Sequence, residues 1–354
     1  MDLLIKRGAL AETKVVPAEA KPLADGEARL KVDLFSLTAN NVTYGAFGDF
    51  LKYWQFYPAP EGWGRVPVWG FATVTESKSP NVKVGERFYG YLPMSDEFVL
   101  NPGKRRPGGF LDESAHRQGL ATVYNNYVLN GEDALYAPDT EALQVLFRPL
   151  FATSFLIDDF IADAGLFGGR QVIFSSASAK TSYAAAQLLK ARGVKVVGLT
   201  SPGNVGFTKE LGFYHEVVPY GSIGSLDASV PSVFVDIAGD AAVRSAVHNR
   251  FGDSLKYSCA VGATHWDVPR VEEKLPGAQP QMFFAPAVVQ KRIGDWGAAE
   301  FNRKMAEAWR SFLPTAARTT RIVEGRSLSD AAGVFADLVA GRARPTDGHV
   351  IRLT

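Results

Sequence analysis

The second half of the sequence alternates short apolar strands with helical stretches. Residues 171–174 form an apolar strand, residues 181–192 an alanine-rich helix that ends at Gly193, and residues 195–199 a second strand. The pattern returns with strands at 233–237 and 257–261 and a helix at 241–249. Strands that alternate with helices at this spacing predict βαβ units on a parallel sheet.

The first hundred residues have the composition of strands and turns rather than of helices. Residues 28–34 alternate apolar and polar side chains, and residues 68–74 and 87–92 are rich in β-forming residues. Prolines recur too often in this stretch for long helices. This part of the chain therefore predicts a compact barrel of short strands.

Two further features complete the predicted organisation. Turn signals before Glu141 place a domain boundary near that residue. Residues 298–312 carry apolar side chains on one face of a helix, and residues 347–353 read as a turn into a terminal strand.

Composition and charge exclude several classes of protein. The 354 residues carry a net charge of +1, which gives no electrostatic footprint for nucleic acid. No apolar run reaches the roughly 18 residues of a membrane-spanning helix, and the N-terminus lacks the features of a secretory signal. The lone Cys259 cannot form an internal disulfide or a multi-thiolate zinc site. We expect a cytoplasmic protein that binds neither nucleic acid nor membrane.

The turn after residue 174 is the most informative segment. A strand, a short turn of small residues and a helix are the arrangement in which backbone N–H groups and a helix dipole hold a pyrophosphate. Ser176, Ala179 and Ser182 stand where the usual fingerprint has glycines, and Lys180 adds a donor. The alternative is an ordinary turn between a strand and a helix, capped by Ser178.

The end of the second strand favours one cofactor. Thr200 and Ser201 follow it, and no acidic residue lies between Lys195 and Lys209. A site for NAD usually places Asp or Glu here to bind the ribose hydroxyls, whereas a hydroxyl pair suits the 2′-phosphate of NADP. The alternative is a solvated loop.

Taken together, these residues resemble the medium-chain dehydrogenase/reductase superfamily, and within it the zinc-independent quinone oxidoreductases and enoyl reductases. The resemblance runs from Gly169 to Tyr220, and residues 67–70 and 84–87 resemble the GroES-like barrel of that superfamily. Residues 148–159 and 283–286 look like a divergent branch known only as a domain of unknown function. The implied fold class is α/β, with a GroES-like β-barrel at 1–140, completed by about 310–354, and a Rossmann domain with a doubly wound parallel sheet at 141–309.

The resemblance also implies a set of residues that bind NADP. The pyrophosphate would lie on the turn, and Thr200, Ser201 and Tyr220 would lie near the adenosine phosphate. Thr153 would lie near the nicotinamide amide, and the backbone around Phe284 and Ala285 would meet the same ring. The residues of the turn are Ser176, Ser178, Ala179, Lys180 and Thr181. Relatives often pair as dimers, so the resemblance implies a homodimer.

The resemblance does not extend to zinc. A catalytic zinc needs Cys, His or carboxylate ligands, typically three with an open fourth position. The Gly-His-Glu motif of the zinc-dependent relatives is replaced here by Trp69-Gly70-Phe71, and the four-cysteine lobe is missing. We therefore expect no metal, and a reaction that needs a proton donor or hydrogen bonds to a carbonyl instead.

Tyr44 is the candidate proton donor, because its segment resembles the asparagine-rich stretch before the catalytic pocket of enoyl reductases. Asn41, Tyr53, Trp69 and Tyr124 are the candidate substrate contacts. The alternatives are a Tyr44 ring that fills the barrel, an Asn41 that serves a turn, and aromatic residues that serve the core.

The sequence supports two hypotheses of function. The first is a zinc-independent, NADP-dependent oxidoreductase that reduces an activated alkene (an enone, a quinone or an enoyl thioester) or a carbonyl of a small molecule. The second is a cofactor-free scaffold or binding protein that has kept the fold, because a fold alone does not carry an activity.

Overall fold

The computed structural model describes residues 1–19, 21–261 and 275–353. The chain divides into two compact units. Unit 1 comprises residues 1–149 and 316–354, and unit 2 comprises residues 150–315. The described part of the chain has no helix with both the length and the apolar character that a bilayer crossing requires.

The elements are numbered in chain order. The strands are β1 (Asp2–Lys6), β2 (Thr13–Val16), β3 (Ala28–Leu37), β4 (Trp63–Gly64), β5 (Pro67–Ser77), β6 (Arg87–Pro93), β7 (Glu97–Leu100), β8 (Gly109–Leu111), β9 (Asn126–Leu129), β10 (Gln171–Phe174), β11 (Lys195–Thr200), β12 (Glu216–Pro219), β13 (Ser232–Asp236), β14 (Leu255–Ala260), β15 (Pro280–Met282), β16 (Arg321–Gly325) and β17 (Asp347–Arg352). The helices are α1 (Ala39–Ala46), α2 (Glu141–Asp163), α3 (Lys180–Ala191), α4 (Val205–Glu210), α5 (Ala241–Phe251), α6 (Ala285–Trp296), α7 (Ala298–Thr319) and α8 (Leu328–Val339).

Unit 1 is built on β-sheets. A sheet in the order β16-β17-β3-β5-β6-β9-β8, with β7 also paired to β3, lies beside a smaller sheet in the order β2-β1-β4. Alternate side chains of residues 28–34 in β3 are buried, as the period of two in the sequence predicts, and residues 34–37 are all buried. The inward residues of β3, β5 and β6 share one core with Leu328, Ala331 and Phe335 of α8.

Unit 1 also contains a helix where strands and turns were expected. Helix α1 begins after Thr38, whose side chain accepts a hydrogen bond from the backbone of Asn40. Asn41 completes a capping box, because its Oδ1 accepts the Thr38 N–H at 2.8 Å. Tyr44 therefore lies on a helix, where its position relative to Asn40 and Asn41 is fixed by helical geometry.

Unit 2 holds a parallel sheet in the order β12-β11-β10-β13-β14-β15. Every pair along this order is parallel. Relative to β10, the first strand of the unit, this is the order 3-2-1-4-5-6 of sheets that bind dinucleotides. The order reverses at β10, so ligands of such sheets bind at the carboxyl end of that strand.

Candidate functional site

The turn after β10 keeps a backbone shape that glycine adopts more easily than serine. Ser176 has a φ of 48°, in the left-handed region that costs a non-glycine residue roughly 1–2 kcal/mol. Gly198 of β11 lies against the same turn. A Cβ on Gly198 would be 2.8 Å from the Cβ of Ala177, so this glycine allows the close approach of the two segments.

The backbone donors of the turn are engaged within unit 2. The Ser176 N–H donates to the phenol oxygen of Tyr220 at 3.0 Å. The Ala177 N–H donates to the Leu199 carbonyl at 2.9 Å, and the Ala179 N–H to the Ser176 carbonyl at 2.8 Å. Tyr220 thus lies at the turn, and burial raises the pKa of its phenol.

Helix α3 begins directly after the turn without a side-chain cap. Its N-cap is Ala179, and no side-chain hydrogen bond caps it. The alternative of a turn capped by Ser178 is therefore not what the structure shows. Lys180 and Thr181 form the first turn of the helix.

The Ser178 side chain instead belongs to a polar group at the end of β11. Its hydroxyl lies 3.5 Å from the Thr200 hydroxyl, and it accepts a hydrogen bond from the Asn204 side chain at 3.2 Å. Ser178 and Thr200 were predicted at the cofactor site, whereas Asn204 was not. The only feature of the sequence that marks Asn204 is its position directly after Pro202-Gly203.

A buried acid that the sequence did not reveal joins the carboxyl ends of β10 and β13. Asp236 Oδ1 accepts hydrogen bonds from the Ser175 hydroxyl at 2.8 Å and the Gly239 N–H at 2.9 Å. Its Oδ2 accepts from Arg244 Nε at 2.9 Å. The carboxylate is satisfied on both oxygens, so it fixes the backbone at this edge of the sheet.

The other predicted cofactor residues lie on several elements of unit 2. Thr153 is half-buried on α2, and Ser201 is half-buried directly after β11. Phe284 is exposed and precedes α6, which begins at Ala285. Their contact with a cofactor stays a prediction.

In unit 1 the structure brings four of the predicted site residues together. We call the tyrosine cluster the side chains of Tyr44, Tyr53, Trp69, Tyr91 and Tyr124. The ring of Tyr44 lies 4.6 Å from that of Tyr53 and 5.4 Å from that of Tyr91, centroid to centroid. Tyr91 lies 4.6 Å from Tyr124 and 5.0 Å from Trp69. Tyr91 is not among the site residues that the sequence predicts.

The Tyr44 hydroxyl is buried and hydrogen-bonded. It accepts from the side-chain nitrogen of Asn40 at 2.7 Å and from the indole nitrogen of Trp69 at 3.3 Å. Burial raises the pKa of the Tyr44 phenol well above its usual value. The group is therefore protonated at neutral pH.

Both polar atoms of the Asn41 side chain form hydrogen bonds within unit 1. In addition to the capping bond of its Oδ1, its side-chain nitrogen donates to the Pro67 carbonyl at 3.0 Å. Its role as a substrate contact stays a prediction.

Metal ligands do not gather in the described residues: ranges 1–19, 21–261 and 275–353 contain no group of three or more His, Cys, Asp or Glu side chains that could hold an ion. Trp69, Gly70 and Phe71 lie within β5, where they pair with Tyr91, Gly90 and Tyr89 of β6.

A family comparison covers most of the sequence. The family model described as "Protein of unknown function (DUF2855)" matches residues 35–344. The chain belongs to the DUF2855 family. A comparison of the sequence with curated proteins gives no match.

Solved structures show what fold this DUF2855 chain has. CurA from Vibrio vulnificus, in complex with NADPH, is 13% identical with a TM-score of 0.62, over 99% of this chain and 96% of that one. The quinone oxidoreductase from Coxiella burnetii is 15% identical with a TM-score of 0.59, and the CurK enoyl reductase is 14% identical with a TM-score of 0.59. Each covers 100% of this chain and 99% of its own.

This likeness confirms the predicted resemblance and fold class. The DUF2855 chain has the α/β fold of the medium-chain dehydrogenase/reductase superfamily, with a GroES-like unit and a Rossmann unit.

Proposed function

We propose that this DUF2855 chain is a zinc-independent, NADP(H)-dependent oxidoreductase that reduces an activated alkene or a carbonyl of a small molecule. One observation carries the proposal: the N-terminus of α3, with Ala179 as its N-cap, follows β10 at the point where the order of the parallel sheet reverses. Pyrophosphates bind at this position of such sheets, because helix N–H groups and the helix dipole favour negative charge there.

The donor set of the turn fits a dinucleotide. Lys180, Thr181 and the Ser178 hydroxyl would hold the pyrophosphate, and Gly198 leaves room for the turn to lie against β11. Thr153 and the backbone at Phe284 and Ala285 are proposed for the nicotinamide end. The bound cofactor would supply the hydride.

The end of β11 favours NADP over NAD. Thr200, Ser201 and Tyr220 offer hydroxyls, and no carboxylate occurs between Lys195 and Lys209 to repel a 2′-phosphate. CurA, which has the same fold, was crystallised with NADPH.

Tyr44 is proposed as the proton donor. Reduction of an activated alkene adds a hydride to one carbon and a proton to the neighbouring carbon, whereas reduction of a carbonyl adds the proton to oxygen. The Tyr44 phenol would give that proton, keep the electron pair of its O–H bond as a phenolate, and regain a proton from solvent. Tyr53 and Tyr124, whose hydroxyls lie 3.2 Å apart, are proposed to contact the substrate.

We also propose that the chain is a homodimer. Strand β15 is at the edge of the parallel sheet, and Met282 at its end and Phe284 just after it are each 60% exposed. An edge strand with exposed apolar side chains is a ready surface for pairing with a second copy.

Cofactor binding tests the proposal directly. The thermal unfolding of the protein and the fluorescence of the added nucleotide are measured over a concentration series of NADPH and, separately, of NADH. We expect saturable stabilisation by NADPH at lower concentration than by NADH, because a ligand that binds only the folded state raises its stability. No stabilisation at millimolar NADPH would contradict it.

A second candidate is the cofactor-free binding protein. The hydrogen bond between the Ser176 N–H and Tyr220 favours it, because a side chain of the protein takes a donor of the turn. The same titration separates the two functions, since this candidate predicts no response to either nucleotide.

A further inference from the structure

The hydrogen-bond pattern at Tyr44 is directional. An indole N–H can only donate, so the contact at 3.3 Å requires the Tyr44 oxygen to accept from Trp69. The side-chain nitrogen of Asn40 donates to the same oxygen at 2.7 Å. A hydroxyl oxygen has two acceptor positions, so the two donors leave the Tyr44 hydrogen to point elsewhere.

The Trp69 ring is held in place by other aromatic rings. It stacks on Tyr89 with centroids 5.6 Å apart and an angle of 14° between the planes. Tyr91 and Tyr124 lie 5.0 and 6.0 Å away. With its faces packed in this way, Trp69 is better placed to aim its N–H than to stack on a substrate.

An ion pair lies against the Tyr89 ring on which Trp69 stacks. The Arg148 guanidinium lies 4.1 Å from the centre of the Tyr89 ring, a cation–π contact. Arg148 also forms an ion pair with Asp133, whose side chain is buried. Because the cation is itself fixed, Tyr89 and the indole that it stacks on have little freedom to turn.

We propose that Trp69 and Asn40 are positioning residues for Tyr44: they occupy the acceptor positions of its hydroxyl, so that its hydrogen is directed at the substrate, and they stabilise the phenolate that remains. This inference rests on the proposed role of Tyr44 as proton donor. The O–H bond of Tyr44 breaks, a C–H or O–H bond forms on the substrate, and the electron pair stays on the phenol oxygen. The hydride comes from NADPH, as in the proposed function.

Such support is needed because the site is buried. Burial favours the neutral phenol, and it raises the pKa of Tyr44. Hydrogen bonds to the charged form act in the opposite direction, and Trp69, Asn40 and, as the smallest contributor, Tyr91 do so here. Removing one of these donors leaves the phenolate less stable, whereas the bound substrate is unaffected.

The kinetic test compares Trp69→Phe with Tyr89→Phe. Trp69→Phe keeps an aromatic ring but removes the N–H, whereas Tyr89→Phe keeps the stack and removes a hydroxyl with no hydrogen-bond partner among the described residues. With an enone or quinone that the wild type reduces, we expect Trp69→Phe to lower kcat about tenfold or more with KM for NADPH unchanged, since a hydrogen bond to a charged group is lost. Tyr89→Phe should keep the wild-type kcat. Equal kcat in Trp69→Phe and the wild type would overturn the inference.

A spectroscopic test needs neither substrate nor cofactor. A fluorinated tyrosine at position 44 has a more acidic phenol, so its titration is followed by ¹⁹F NMR in the folded protein. We expect Trp69→Phe to raise the pKa of this phenol by about one unit, a tenfold change in its acid dissociation constant, and Tyr89→Phe to leave it unchanged. If Trp69→Phe does not fold, Asn40→Leu, at a half-buried position of α1, takes its place and should raise the pKa of the phenol in the same way. Identical titrations in all variants would overturn the inference, whether or not the protein binds NADPH.

Discussion

The phenol oxygen of Tyr220 lies 3.0 Å from the backbone nitrogen of Ser176 and accepts its hydrogen bond. This contact joins the start of the segment after β12 to the turn after β10. A second tyrosine makes a bond of opposite sense to the same turn, because Tyr214 donates to the Ala177 carbonyl at 2.8 Å. Because both tyrosines bond to this turn, a substitution of Tyr214 is a matched control for a substitution of Tyr220.

Tyr220→Phe should weaken NADPH binding and leave NADH binding unchanged, because we propose that its hydroxyl lies at the 2′-phosphate. The variant should also lose about 1 kcal/mol of unfolding free energy with the hydrogen bond. Titration calorimetry and urea unfolding measure the two effects. Tyr214→Phe is the control, since it should lose stability without a change in cofactor preference. Tighter NADPH binding in Tyr220→Phe would show that this side chain blocks the turn.

Ser201→Asp should move the cofactor preference toward NADH. A carboxylate at this position repels a 2′-phosphate and can bind the ribose hydroxyls of NAD. Ser201 is the better position for this test, because Thr200 is only 1% exposed and an acid there would be buried. The ratio of NADPH to NADH affinity is measured, with Ser201→Asn as the uncharged control. An unchanged ratio in Ser201→Asp would refute the phosphate assignment.

Tyr44→Phe should lower kcat by roughly 10²–10⁴, the usual contribution of a general acid, and leave NADPH affinity intact. The ring remains, so its packing against Tyr53 and Tyr91 is kept. Steady-state kinetics with an enone and a cofactor titration check the two parts. Wild-type turnover in this variant would remove Tyr44 from the mechanism.

Stability should fall as the pH drops below about 6.5, the unperturbed pKa of histidine, and His248 should contribute to that fall. Its Nδ1 is 2.9 Å from the Pro276 carbonyl and must donate, so its Nε2 accepts from the Ser258 hydroxyl at 2.9 Å. Burial lowers the pKa of this imidazole. The folded state therefore binds the proton less well than the unfolded chain.

The sign of this effect follows from linkage. Neutral His248 makes its full contribution to the free energy of unfolding at any pH above the pKa that this histidine has in the unfolded chain. This contribution is lost, by up to roughly 1.4 kcal/mol per pH unit, as the pH falls toward the lower pKa that His248 has in the folded protein. Urea unfolding between pH 5 and 8 measures it, and His248→Gln should flatten this part of the profile. A profile that is the same in both proteins would contradict the assignment.

The parallel sheet of unit 2 could be predicted closely from the sequence. The predicted strand 171–174 coincides with β10, and the predicted helix 181–192 lies within one residue of α3. Buried parallel strands are continuous apolar runs, and Gly193 marks the end of the helix, so the local signal is strong.

Two helices could not be predicted in the same way. Helix α1 has only eight residues and depends on the capping box of Thr38 and Asn41, a signal that the proline-rich surroundings obscure. Helix α2 contains Pro149, which normally argues for the end of a helix. It also runs across the division between the two units, which falls after Pro149.

The candidate site could be predicted in its residues but not in its contacts. Tyr44, Tyr53, Trp69 and Tyr124 were each chosen singly, and only the packing of α1 against β5 in the structure shows that Trp69 reaches the Tyr44 hydroxyl. Asn204 and Asp236 were missed because their partners, Ser178 and Ser175, are distant in sequence. Periodicity carries no information about such contacts.

The left-handed backbone of Ser176 has a consequence for how relatives of this chain can be found. The main chain at this position has a left-handed dihedral angle that glycine adopts at less cost than serine. A search for the spacing of glycines will therefore not detect such turns. A comparison of main-chain dihedral angles in the turn after the strand at which the order of a parallel sheet reverses will detect them. Ser176→Gly would relieve the torsional cost without altering that shape.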